Sequence, residues 1–368
     1  MALQTHNNLR VGILTGGGDC PGLNAAIRSV AKTLMLTSNA EIIGIEDGFL
    51  GFIERRSRPI SYQDCSGIFA LGGTIIGTCN RADPFNYNGR DCSGEVKAYY
   101  DQLQFDALVI IGGDGTLSIG YELSKLGINV VGVPKTIDND LMCTERTFGF
   151  DTAVSIVTDA IDRLRTTGQS HKRIMIVETM GRNAGWIALH AGVAGGADSI
   201  LIPEYPYDIQ RVAKACTERM GSHHFSIVVV AEGARPVNGR VSVRENIAGS
   251  PEPSRLGGIG EQLKVQLGQF MDAEIRATTL GHIQRGGSPT SFDRIFATNL
   301  GSYAAKLVES KQFNRAVIQK GNRLSHVALE SVANKTRNVP ADDLTLQTAI
   351  AMGICFGTPD LKAFPHVM

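Results

Sequence analysis

Short runs of continuous apolar residues along this chain end, again and again, in glycine-rich polar segments. Residues 11–14 (VGIL) run into TGGGDCPG and then into a helical pattern, LNAAIRSVAKTLML. Residues 107–111 (ALVII) run into GGDGT and a second helical stretch, and 129–133 (NVVGV) precede PKTIDND. Residues 173–177 (RIMIV) precede ETMGRNAG, and 227–231 (IVVVA) precede EGARP. Apolar runs without alternation read as strands buried on both faces, and their succession with helices predicts parallel sheets. The expected fold is α/β, with two doubly wound domains. One holds roughly residues 1–150 and the other much of the stretch to about 283; the C-terminal helices could return to either. Residues 236–260 read as a long loop or small excursion, and no solenoid-period repeat is apparent.

Composition narrows the partners. The 368 residues are 43% hydrophobic and 20% charged, enough apolar material for globular cores. Lys plus Arg and Asp plus Glu are 36 each, so no basic excess points to nucleic acid, and local clusters must do any anion binding. The seven cysteines (Cys20, Cys65, Cys79, Cys92, Cys143, Cys216 and Cys355) are scattered without a CxxC pair, which reads as reduced thiols rather than disulfides or a zinc site. The opening MALQTHNNLR lacks the apolar stretch of a signal peptide, and no run is long enough to span a membrane, so a cytoplasmic setting is expected.

In such sheets ligands collect at the carboxyl ends of the strands, where the glycine segments fall. In residues 16–22 (GGGDCPG), backbone amides without side chains around them can approach phosphate oxygens, aided by the following helix N-terminus. A tight β-to-α turn accounts for one such cluster equally well; neither a GK[ST] P-loop nor GxGxxG is present. Residues 112–116 (GGDGT) repeat the logic: Gly113, Gly115 and Thr116 make room for a polyphosphate, while Asp114 either meets its magnesium or caps a helix beginning near Leu117. Thr136, Asp138 and Asp140 lie in TIDND. If extended, that segment projects both carboxylates to one side, where one can accept a hydroxyl proton; a solvated acidic turn is the plain alternative. Met180, Gly181 and Arg182, with Arg276, His282 and Arg285 of RATTLGHIQRGG, supply fixed charge and donors that match phosphate. Trp186, Tyr205 and Tyr207 read as packing residues.

Taken together and in order, GGGDCPG, GGDGT, PKTIDND, SHKR, MGR and RATTLGHIQRGGSP resemble the 6-phosphofructokinase family over roughly residues 11–300. The resemblance implies two Rossmann-like domains with the active site in their cleft, usually in a homotetramer or otherwise a dimer. It implies magnesium-dependent transfer of a phosphoryl group to the 1-hydroxyl of fructose 6-phosphate in glycolysis. Residues 1–149, completed by part of 284–336, would bind ATP and magnesium; 150–283, completed by 337–368, would bind the sugar phosphate. By position, Asp138 looks like the base, with Thr136 and Asp140 its companions, and Asp114 the magnesium carboxylate. Gly18 lines the donor phosphates, and Met180, Gly181, Arg182, Glu232, Arg276, His282 and Arg285 match sugar-phosphate positions. Arg173 and Arg276 match arginines that reach the 6-phosphate of a neighbouring subunit.

Two departures bear on the donor. Many bacterial ATP users of the family carry glycine where this chain has Lys135, whereas pyrophosphate users combine that lysine with an aspartate where this chain has Gly115. A carboxylate at 115 would repel a nucleotide's α-phosphate, while Lys135 serves either donor, so ATP is favoured and pyrophosphate is the runner-up. The glycine–lysine combination also occurs in an ATP-using branch. In TCNRADP, Asn80 stands where an arginine often approaches the donor, and the next residue, Arg81, is a substitute candidate. Arg28, Lys32, Arg165 and Asp198 match or replace effector-site positions of bacterial relatives, and read equally as solvated or interface residues. A non-catalytic paralogue would be expected to lose Asp138 or Asp114, and both are present; a dinucleotide oxidoreductase lacks its GxGxxG.

Overall fold

The computed structural model describes residues 8–246, 254–359 and 361. Its first strands are β1 (Arg10–Thr15), β2 (Glu41–Ile45), β3 (Ser57–Pro59), β4 (Ala107–Gly112) and β5 (Val130–Pro134). There follow β6 (Ile174–Thr179), β7 (Ser199–Leu201), β8 (Ser226–Ala231), β9 (Val243–Asn246), β10 (Ser254–Leu256) and β11 (Ile275–Thr279), then β12 (Arg315–Lys320) and β13 (Arg323–Ala328). The chain forms two compact units. Unit 1 comprises Met1–Ile137, Leu141–Asp151 and Arg285–Lys335; unit 2 comprises Asp138–Asp140, Thr152–Gln284 and Thr336–Met368.

Unit 1 is built on a seven-stranded sheet of order β13-β12-β5-β4-β1-β2-β3, parallel except for the outer strands β3 and β13. The apolar runs predicted as strands are β1, β4 and β5; β4 and β5 are buried throughout, as strands covered on both faces must be. Helix Leu23–Ser38 turns Leu23, Ala26, Ile27, Val30 and Leu34 inward at helical spacing. Against it lies helix Ser291–Glu309, so close that a Cβ on Gly301 would stand 2.7 Å from the Ala26 carbonyl oxygen. Strand order reverses between β1 and β4, the switch point at which such sheets bind ligands.

Unit 2 has an all-parallel sheet of order β11-β6-β8-β7. Its core joins Ile174, Ile176, Val228 and Val230 with Tyr207, Val212, Leu263 and Leu267 from the covering segments. Helix Ile209–His223 starts at Asp208, whose carboxylate accepts the Gln210 amide. Within the region read as a loop or excursion, β9 and β10 pair as an antiparallel ribbon; residues 247–253 lie outside the described residues.

The first unit is not continuous through the TIDND segment. Asp138–Asp140 group with unit 2, although the chain on both sides of them belongs to unit 1. The Asp140 carbonyl accepts the Arg337 amide at 2.7 Å, and the Asn139 carbonyl accepts Arg337 Nη2 at 2.8 Å. Among the described residues, no helix is long and apolar enough to cross a membrane, and the cysteines are unpaired thiols.

Candidate active site

In unit 1 the carboxyl ends of β1, β4 and β5 share one edge, because Thr15 pairs with Ile111 and Gly112 with Pro134. The 16–22 turn, Gly113–Thr116 and Lys135 are therefore neighbours. Thr116, 6% exposed, is the packing centre: a Cβ would meet its side chain at 2.6 Å from Gly16 and 2.3 Å from Gly112. Gly17 is left-handed (φ 76°). Three successive carbonyls of the turn are tethered by side chains. Thr78 Oγ1 donates to Gly17 O at 2.6 Å, Lys135 Nζ to Gly18 O at 2.5 Å, and Arg285 Nη1 to Asp19 O at 3.3 Å. In a trans peptide the next N–H points opposite to the carbonyl, so the amides of Gly18, Asp19 and Cys20 face away from these donors, as an anion would require.

The second helix starts at Asp114 rather than near Leu117, because Leu117 N already bonds the Gly113 carbonyl at 3.0 Å. Asp114 therefore does not cap it; its Oδ1 accepts Ser118 Oγ at 3.2 Å. Burial raises its pKa above the ordinary carboxylate value, opposed by the Ser118 hydrogen bond and by the amides of Lys335 and Asn334. No cation contributes to that balance, so a magnesium ion arriving with a polyphosphate would relieve it. No group of three or more His, Cys, Asp or Glu side chains forms a metal cage among the described residues, and magnesium needs only one or two carboxylates with phosphate and water. Asp114 fits that requirement. A Cβ on exposed Gly115 would meet nothing within 4 Å. Asn80 and Arg81 are exposed on the loop that Thr78 ties to Gly17. Cys20 is fully buried, and burial pushes its thiol up to about 12, which leaves it a packing group.

The TIDND segment is not extended. It turns at Ile137 and Asp138, and Asn139 is left-handed (φ 53°), so strand alternation does not set where its carboxylates point. In unit 2, the carboxyl ends of β6, β8 and β11 also share an edge, Thr179 pairing with Ala231 and with Glu178–Thr279 alongside. Met180, Gly181, Arg182, Glu232 and His282 all follow these ends. Buried Gln284, not singled out from the sequence, joins two of the segments: Nε2 donates to Gly281 O at 3.0 Å, and Oε1 accepts Met180 N at 3.2 Å. Gly181 is left-handed (φ 130°) and bonds Gly233 N at 3.1 Å.

Arg173 and Arg276 sit elsewhere, at the opposite end of β6 and β11. Four residue steps separate Arg276 from Leu280, about 13 Å of rise. Glu274 grips both arginines, accepting Arg173 Nε at 2.6 Å and Arg276 Nη2, and the Arg173 hydrogen bond leads in holding its pKa low. The four effector-site candidates are engaged within the chain. Arg28 lies over Phe69 and Lys32 over Tyr62; Arg165 donates to Gly195 and Gly196 carbonyls; Asp198 pairs with Arg219 at 2.9 Å and accepts Ile227 N. Trp186, Tyr205 and Tyr207 pack as expected but also hydrogen-bond, to Arg337 O, Val339 O and Gln266 Oε1.

A doubly wound scaffold with glycine-rich turns at the carboxyl ends of its parallel strands, and a partly desolvated carboxylate beside one of them, is the architecture of a phosphotransferase. The chain belongs to the phosphofructokinase family, whose pattern matches residues 10–308. It is 47% identical over 358 residues to the ATP-dependent 6-phosphofructokinase 2 of Clostridium perfringens, covering 94% of this chain and 98% of that protein. It is 45% identical over 334 residues to the pyrophosphate–fructose 6-phosphate 1-phosphotransferase of Amycolatopsis methanolica, covering 91% and 97%. The crystal structure of a pyrophosphate-dependent phosphofructokinase from Marinobacter aquaeolei matches with a TM-score of 0.79 at 17% identity, over 98% of each chain, a likeness of fold alone.

Proposed function

We propose that this chain is an ATP-dependent 6-phosphofructokinase, moving the γ-phosphoryl group of ATP to the 1-hydroxyl of fructose 6-phosphate in cytoplasmic glycolysis. Overall similarity does not choose the donor, since relatives named for ATP and for pyrophosphate stand at 47% and 45%. The observation that carries ATP is Gly115. Glycine is a poor helix former, at a cost of up to about 1 kcal/mol relative to alanine in a helix interior and less in a first turn, yet nothing in the chain occupies the space a side chain would take. Room kept there at that cost suits a nucleotide. Lys135, shared with pyrophosphate users, is the feature that keeps the second donor in view.

Asp138 accepts the 1-hydroxyl proton as that oxygen bonds to phosphorus and ADP departs, while Thr136 and Asp140 orient the reacting group. Lys135, Arg182 and the amides of Gly18 and Gly113 offset charge on the transferred group. Gly115, Thr116, Asn80 and Arg81 line the donor. Asp114 would hold magnesium, which supplies charge neutralisation of the donor phosphates. Met180, Gly181, Glu232, His282 and Arg285 hold the sugar phosphate. Because Arg173 and Arg276 lie away from the other unit 2 candidates, they complete the site of a neighbouring copy in a homotetramer or dimer. An effector at Arg28, Lys32, Arg165 and Asp198 would have to displace their present contacts.

Initial rates with ATP, ADP or pyrophosphate as donor, on wild type and on Asp138→Asn, test the proposal. ATP should support turnover, and Asp138→Asn should lower it by about 10²–10⁴-fold with fructose 6-phosphate still bound. Faster turnover with pyrophosphate would overturn the donor, and near-normal turnover of Asp138→Asn the assignment of the base.

A further inference from the structure

We infer that Arg337, which lies beyond the family-matched residues 10–308, is a positioning residue for Asp138. The inference rests on the reading of Asp138 as the base. The Asp138–Asp140 peptide belongs to unit 2 while its flanks belong to unit 1, so something in unit 2 must hold it. Its middle residue, Asn139, is 3% exposed and left-handed at φ 53°, a conformation asparagine takes more readily than other L residues, so the segment turns sharply in a buried setting.

Arg337 supplies the hold. Its amide donates to the Asp140 carbonyl at 2.7 Å, and its Nη2 donates to the Asn139 carbonyl at 2.8 Å. Two successive peptide planes, 139–140 and 140–141, are thus fixed by one residue directly after Asp138, so the backbone that carries the base is anchored on its C-terminal side. Arg337 is itself clamped: its guanidinium carbon stands 4.2 Å from the centre of the Trp186 ring, and Trp186 Nε1 donates to the Arg337 carbonyl at 2.9 Å. Two residues on, Val339 N donates to Glu204 at 2.9 Å, and Val339 O accepts the Tyr205 hydroxyl at 3.2 Å. Glu204 also accepts Gly185 N at 3.0 Å, at the start of the helix that follows the 180–182 loop. A late segment of the chain therefore ties the base peptide to the loop carrying Arg182, all within unit 2.

Proton transfer needs donor and acceptor about 2.6–3.2 Å apart, and a displacement of about 1 Å can cost on the order of 10²-fold. Arg337→Ala should therefore lower kcat by about 10–100-fold, with KM for fructose 6-phosphate and ATP within about threefold of wild type. On an Asp138→Asn background it should cost no more than about twofold further, because the group it positions is gone. Arg337→Ala removes the Nη2 bond and the cation over the indole but not the main-chain donor; Arg337→Lys keeps a cation over the indole and should recover part of the loss. If Arg337→Ala does not fold, Arg337→Lys and Trp186→Phe carry the same cycle, the latter losing the indole N–H that fixes the Arg337 carbonyl together with part of the ring beneath the guanidinium.

A kcat within about threefold of wild type, alongside collapse in Asp138→Asn, would overturn this inference and leave the base reading standing. Equal losses on both backgrounds, or a rise in KM matching the loss of kcat, would make Arg337 merely structural and overturn it as well. Near-normal turnover of Asp138→Asn alone would remove the base reading, and this inference with it.

Discussion

Replacing Gly115 by aspartate separates what the fold needs from what the donor needs. Gly115 is the second residue of helix Asp114–Lys125, and a Cβ there meets nothing within 4 Å, so the folded chain has room for the new side chain. Aspartate improves on glycine by a few tenths of a kcal/mol in helix propensity and gains about 0.3–1 kcal/mol near a helix N-terminus. At about 2–4 °C per kcal/mol for units of this size, Tm should stay level or rise by roughly 1–4 °C. The donor site should respond in the opposite sense. A carboxylate about 4 Å from one unit of phosphate charge costs about 4 kcal/mol at an effective dielectric of 20, or roughly 10³-fold in kcat/KM for ATP. Coupled-assay initial rates over an ATP series at saturating fructose 6-phosphate, with thermal melts of the same samples, read both effects. Gly115→Ala is the control, fitting the same space without charge. The reasoning is refuted if Gly115→Asp keeps kcat/KM for ATP within about fivefold of wild type, where the Coulomb figure demands far more. It is also refuted if the variant loses stability, because the open space would then not be open.

Other perturbations probe neighbouring positions. Because burial raises the Asp114 pKa, the protonated form is favoured by folding; that contribution is full below the unfolded value of 3.8 and is lost as pH rises through the folded one. Asp114→Asn should thus show little Tm gain near pH 4 and a growing one toward pH 7, with activity falling by about 10²-fold or more; a gain largest in acid contradicts the sign. Gly18→Ala would place a Cβ 2.7 Å from Arg285 Nη1, a flexible end that can move, so its melt should change little while KM for the donor rises about tenfold. Gly51→Ala meets the backbone instead, 1.8 Å from the Glu46 carbonyl oxygen, and should cost more than about 3 kcal/mol in urea denaturation with no specific effect on KM.

Most of the strands that lead into the candidate site were legible because they are buried on both faces. Β1, β4, β5, β6 and β8 each contain a continuous apolar run ending in glycine or a polar turn, and each prediction met a strand within a residue or two. Strands with less apolar signal were not picked out. Β11 (IRATT) alternates charged, small and hydroxyl residues, and β7 is three residues long, so both are defined by pairing with β6 and β8 rather than by their own composition. The glycine turns could be found but not oriented. The Lys135 and Arg285 donors that tether Gly18 and Asp19 stand 117 and 266 residues away in sequence, and no local pattern can announce such a bond.

The base peptide shows the same limit most sharply. DND reads locally as an acidic turn, and its motif context identifies a carboxylate without saying what holds it. The hold comes from Arg337, 198 residues after Asn139, in a segment with no motif of its own. Trp186 read as a packing residue, yet its indole N–H is spent on the Arg337 carbonyl. A buried tryptophan usually finds a partner for that N–H, so the question the sequence could have raised is which carbonyl it serves. Here the answer leads through Arg337 to Asn139 and Asp140. If Asp138 is the base as proposed, its placing depends on a contact that lies in the order of the fold rather than in the order of the residues.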